Sequence, residues 1–116
     1  MKGYKQLIGY GSDRTQYYIF EDGSVYRLVS NQYGWKFEPL APRTHHDGHI
    51  RYHLTKDGRQ CDVYAHRLVY EYFVGKIPKG YVVHHLDCNR VNNNVTNLKI
   101  MTASEHQKLH RQLERR

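Results

Sequence analysis

The chain has 116 residues, room for one domain and one modest core, and 39% hydrophobic against 25% charged residues is the composition of a folded soluble domain. Its 18 Lys+Arg against 11 Asp+Glu leave a formal charge of +7, which suits a polyanionic partner, nucleic acid first among them. Two cysteines without a CxxC pair exclude a disulfide framework and a four-cysteine zinc knuckle, leaving at most one Cys61–Cys88 bridge.

The opening stretch, MKGYKQLIGYGSDR, has no long apolar run, so neither a signal peptide nor a membrane span is expected there. With so little cysteine, a reducing, cytoplasmic compartment is the expectation. Residues 1–64 read as short strands divided by turns. Tyr17–Phe20 and Val25–Val29 flank Glu-Asp-Gly-Ser at 21–24, an Asp-Gly hairpin signal. Asn31–Trp35 reads as a turn leading into a short segment, Lys36–Leu40. A second hairpin runs from His49–Thr55 through Lys-Asp-Gly-Arg at 56–59 to Gln60–Ala65. In its first arm Ile50, Tyr52 and Leu54 alternate with Arg51 and His53, which makes one face apolar and the other basic.

From His66 to Val74 the period becomes helical, with Leu68, Val69, Tyr72 and Phe73 on one side and Gly75 and Pro78 as stops. A strand then begins near Tyr81 and runs through Val82-Val83 into His84-His85. A polar loop from Asp87 to Asn97 follows, rich in asparagine, and Leu98, Ile100 and Met101 form a returning strand. Thr102 with Glu105 three residues on is a capping box that opens a helix from Ala103 to about Leu113. The expected fold is therefore α+β: antiparallel hairpins over 1–64, a short helix and connector over 65–80, and strand–loop–strand–helix over 81–113, in one domain spanning 1–116.

The chemistry concentrates in the last unit. His106 and His110, four apart on a helix, project from one face and can grip one cation, with His84 at a strand end as a further ligand. Imidazole ligands suit Zn, Ni, Mn or Co more than Mg, although water and phosphate oxygens can complete a Mg shell. His85 projects to the other side of the strand, where it can stay off the metal and act as a base. Such a base needs its second nitrogen held by an oxygen, and Asn97 is the candidate. His45, His46 and His49 read as a solvated loop, and His53 and His66 as partners of backbone or nucleic acid.

The stretch VVHHLDCNRVNNNVTNLKIMTASEHQKLH, residues 82–110, resembles the ββα-metal motif of HNH endonucleases, and YAHRLVYEYFVGKIPKGYVVHH at 64–85 resembles the segment that precedes it in phage and homing-type members. The resemblance implies a metal-dependent DNA endonuclease with His84 and His106 as metal ligands, His110 as a further one, and His85 as general base. Asn97 would orient His85 or brace the loop, while Asn92 and Asn93 would be structural. One divalent ion is implied, Mg or Mn in function, with Zn or Ni able to occupy the same histidines. Arg51, His53, Arg59, Arg67, Arg90 and Lys108 are the candidate DNA contacts, on hairpins rich in the chain's 11 tyrosines. DNA is the implied partner, with the phage terminase a further one, acting in the cytoplasm of a bacterial host and away from membranes. A catalytically inactive module of the same fold is the rival reading.

Two positions depart from that pattern. Homing-type members usually carry Asp where this chain has His84, a feature shared with bacterial toxin nucleases that loosens the preference for Mg. Cys88 stands where Gly commonly follows Asp87. The sequence runs into a basic tail, QLERR at 112–116, where some homing members carry a helix-turn-helix, so short-site, structure-guided or partner-guided cutting is expected.

Overall fold

The computed structural model describes residues 3–114, so Arg115 and Arg116 of the basic tail lie outside the described residues. The architecture is α+β. Strands β1 (Tyr4–Gln6), β2 (Thr15–Phe20), β3 (Val25–Asn31) and β4 (Gly34–Pro39) make an antiparallel sheet in sequence order. Strands β5 (Arg43–Thr44), β6 (Ile50–Lys56) and β7 (Arg59–Tyr64) make a second. Helix α1 (Ala65–Phe73) leads to β8 (Tyr81–His85), which pairs with β9 (Leu98–Thr102), and α2 (Ala103–Glu114) follows directly.

Local chemistry sets the turns. Between β6 and β7, Lys56 pairs with Arg59 across Asp57-Gly58, and both central residues have positive φ, 52° and 76°. Those values suit the tight hairpin turn whose twist matches the strands, which Asp-Gly favours. Between β3 and β4 the turn is shorter than the sequence suggests. The Asn31 side chain accepts the Tyr33 N–H (2.8 Å) and Gly34 takes φ 113°, so β4 begins at Gly34 and Trp35 pairs with Ser30 as strand. Strands β1 and β5, three and two residues long, have too few positions to show a period.

One core joins all three sheets. Leu7, Ile19, Leu54, Leu68, Val69 and Val83 belong to the same buried cluster, and α1 is the element that unites them, resting on β2, β6, β7 and β8. In β6 the expected alternation holds: Tyr52 and Leu54 point into the core, and Arg51 and His53 lie opposite. Burying a leucine fully is worth about 1.5–3 kcal/mol, so Leu7, Leu54 and Leu68 together anchor the three layers. At the other end, Thr102 Oγ1 accepts the Glu105 N–H (3.2 Å), the cap that starts α2 and fixes where its histidines face.

Candidate active site

The two-residue period of a strand sends the adjacent histidines of β8 to opposite sides, and both are buried. His84 faces α2, its ring centroid 5.2 Å from that of His106 and 5.9 Å from that of His110. His85 faces the other way, toward His66 at the start of α1 (5.2 Å) and His49 in the β5–β6 turn (5.5 Å). Both sides open on one cavity of about 240 Å³, lined also by Arg67, Cys88 and Arg90.

His84, His106 and His110 each bring one ring nitrogen to within 4.8 Å of the others. The Nε2 atoms of His106 and His110 are 3.0 Å apart. Two nitrogens bound to one ion at about 2.1 Å, at right angles, are also about 3 Å apart, so this pair fits a shared cation without rearrangement. Burial, and then the proximity of His106 and His110, pushes the His84 pKa below the ordinary histidine value. Burial, followed by His110, does the same for His106. Both shifts favour neutral imidazole, the form that binds metal.

His85 is held differently. Its Nε2–H donates to Asn93 Oδ1 (2.8 Å), and both residues are buried. That bond leaves the lone pair on Nδ1. The expected orienter, Asn97, is elsewhere in the network. Its Oδ1 accepts the Asp87 N–H (3.1 Å), and its Nδ2 donates to Asp87 Oδ1 and to the Asn92 carbonyl (2.9 Å each). Of the two roles open to it, Asn97 therefore has the bracing one, and Asn93, expected to be merely structural, holds His85. Three consecutive asparagines share one composition, and only the path of the loop decides which reaches His85.

Asp87 is the hub of that loop. It also accepts the Asn92 Nδ2–H and the Asn89 N–H, and these bonds, Asn92's foremost, hold its carboxyl below the usual aspartate value. Cys88 has φ 61°, a left-handed conformation that costs a non-glycine residue about 1–2 kcal/mol. This accounts for the glycine that commonly occupies the position in the motif. Both cysteines are free, so the Cys61–Cys88 bridge is absent.

The first hairpin props the loop from below. The Val95 N–H donates to the Glu21 carbonyl (2.8 Å), and a Cβ on Gly23 would lie 2.6 Å from Asn93 Cβ. The turn between β2 and β3 is thus the seat of Asn93.

Of the candidate DNA contacts, Arg67 and Arg90 reach the cavity, and Arg90 Nη1 also donates to the Asp47 carbonyl (2.5 Å). Arg51 and His53 are engaged on the outer face of β6 and β7. His53 Nδ1 bonds Asp62 (2.8 Å), His53 Nε2 bonds Gln60 (2.7 Å), and Arg51 lies 3.8 Å from Asp62. Arg59 and Lys108 are exposed. His49 and His66, set aside as loop and backbone partners, stand beside His85 instead. The signal for His66 was its position: with Val69 and Phe73 it falls at i, i+3 and i+7, on the core-facing side of α1.

Residues 63–108 match the model of a family described as HNH endonuclease. The solved structure of the HNH homing endonuclease I-HmuI, described by its DNA binding and cleavage, superposes with a TM-score of 0.71 at 31% identity, over 97% of this chain and 58% of that one. The chain belongs to the HNH endonuclease family. A Bacillus subtilis SPbeta prophage-derived protein named as an HNH homing endonuclease, YosQ, is 47% identical over 57 residues, 49% of this chain and 32% of its own length. The DNA endonuclease I-HmuI of Bacillus phage SP01 is 33% identical over 99 residues, 85% of this chain and 52% of its own length. The HNH chain thus spans about half the length of the phage enzyme and less of the prophage protein.

Proposed function

We propose that this chain is the catalytic part of a metal-dependent DNA endonuclease that hydrolyses phosphodiester bonds. The observation that carries the reading is the division of labour at the end of β8. His84 joins a three-histidine cradle, while His85, one residue on, is kept off that cradle and fixed through Nε2 by Asn93. Both face the same cavity, where Arg67 and Arg90 offer positive charge to a phosphate. The phage and prophage sources of two relatives, and the DNA named for I-HmuI, support DNA as substrate and a phage setting.

In this reading the Nδ1 lone pair of His85 takes a proton from the attacking water, and Asn93 keeps that tautomer and ring orientation. Arg67 and Arg90 hold the phosphate and offset its charge. His84, His106 and His110 would hold one divalent ion, which when bound supplies Lewis-acid charge to the phosphate and the leaving oxygen. Three neutral imidazoles favour Mn, Zn or Ni over Mg on donor chemistry, so Mn is the expected supporting metal wherever water and phosphate oxygens complete the shell.

The test is a plasmid-nicking series with Mg, Mn, Ni and Zn, comparing wild type with His85→Ala. Metal-dependent nicking in wild type is expected, together with a loss of about 10²- to 10⁴-fold in the variant and DNA binding retained. Full activity in His85→Ala would remove the base from the reading, and no nicking with any metal would favour an inactive binding module.

A further inference from the structure

The cavity carries two histidine trios, and the proposed chemistry uses the second only through His85. His49 from the β5–β6 turn, His66 from the first turn of α1 and His85 from β8 each bring one ring nitrogen within 4.8 Å of the others. The His49 and His66 ring centroids are 4.6 Å apart. Both have a buried Nδ1 with no hydrogen-bond partner among the described residues, and His66 as a whole is only 8% exposed. Buried polar atoms are paired in most folded proteins, and two orphaned imidazole nitrogens within a trio of rings close enough to share one ion imply a ligand there.

The donors define that ligand. The nearest carboxylate is committed elsewhere, since Asp47 accepts the His49 backbone N–H (2.9 Å) and the Tyr64 hydroxyl (3.1 Å). An all-imidazole set selects Zn, Co, Ni or Cu, and leaves Mg and Ca without the oxygens they require. We propose that His49, His66 and His85 form a second, inhibitory transition-metal site, separate from the His84–His106–His110 cradle.

Three nitrogens on one tetrahedral ion lie about 3.3 Å apart, so binding draws the rings inward. His49 supplies that movement, because it is half-buried and follows Gly48, whose φ of 88° marks a sharp turn. With Nε2 of His85 committed to Asn93, its metal-binding atom is Nδ1. A nitrogen bound to a cation has no lone pair for a proton, so filling this site disables the base. This consequence rests on the reading of His85 above; the site itself does not.

Calorimetric Zn²⁺ titration of the whole chain, with Co²⁺ absorption as a second readout, tests the site. Wild type should bind two equivalents, His49→Ala one, and the double variant His84→Ala/His106→Ala one. A single equivalent in wild type, two in His49→Ala, or none in the double variant overturns the site. In Mn²⁺-supported nicking, Zn²⁺ beyond one equivalent should slow wild type at least tenfold more than His49→Ala, each measured against its own zinc-free rate. Equal inhibition overturns the inhibitory role. If two equivalents bind in a His49-dependent way but His85→Ala still cuts, the site stands and the assignment of the base falls.

Discussion

Asn93 and Asn97 are four residues apart, buried to similar degree, and do different things. Asn93 spends its carbonyl on the Nε2–H of His85, whereas Asn97 spends both ends of its amide on the backbone and carboxylate of its own loop. Substitution should separate them. Asn93→Ala is expected to lower kcat about 10- to 100-fold with KM little changed, a loss larger than its cost in stability explains. Asn93→Asp keeps an acceptor but favours the protonated ring, and should move the pH–rate profile to higher pH. Asn97→Ala should instead cost about 1–3 kcal/mol of stability, measured by denaturant unfolding, because it orphans the Asp87 N–H and carboxylate together. Equal loss of kcat without loss of stability in both would contradict this division. The sequence could not make the distinction. His106 and His110 are neighbours by helix geometry alone, but which asparagine meets His85 depends on a loop with no period.

At the scale of elements, what was legible followed local rules. The Asp57-Gly58 turn, the alternation along β6 and the Thr102–Glu105 cap each express chemistry within a few residues. Strands β1 and β5 exist because longer neighbours offer them an edge, and nothing in their own residues announces it. The outer face of the β6–β7 hairpin shows the limit of reading charge from alternation. Arg51 and His53 are there, but Asp62 on β7 stands against both. Asp62, with help from Gln60, raises the His53 pKa above the ordinary histidine value. A raised pKa gives stabilisation that is complete below the ordinary value and is lost as pH climbs through the raised one. Asp62→Asn should therefore lower the His53 titration midpoint, followed by NMR. It should also tighten non-specific DNA binding, with log K steeper in log salt by about 0.9 for each phosphate newly neutralised. Weaker DNA binding in that variant would place the face away from DNA.

The whole molecule is elongated, 58 × 28 × 24 Å, with a radius of gyration of 15.8 Å against the roughly 13 Å of a compact chain of this size. Its length comes from setting three small sheets along one shared core. The orientation of His85 is consequently answerable to a turn more than sixty residues away in sequence. Gly23→Ala would drive a methyl into Asn93 at a backbone angle of φ 92°, and should reduce nicking more than an equally destabilising change in the exposed Asp57-Gly58 turn. Equal losses in the two would uncouple the first sheet from the site.

That contact also bears on transplantation. The segment recognisable as HNH, residues 63–108, begins after the hairpin on which Asn93 rests and after the strands that supply Ile19, Val25 and Leu54. A fragment from residue 63 onward, expressed alone or grafted to a foreign DNA-binding domain, should keep the three histidines of α2 and β8. It should nonetheless melt without cooperativity in thermal denaturation and fail to cut. The borders that matter to an engineer are those of the shared interior, which takes in the first two sheets and reaches well outside the motif.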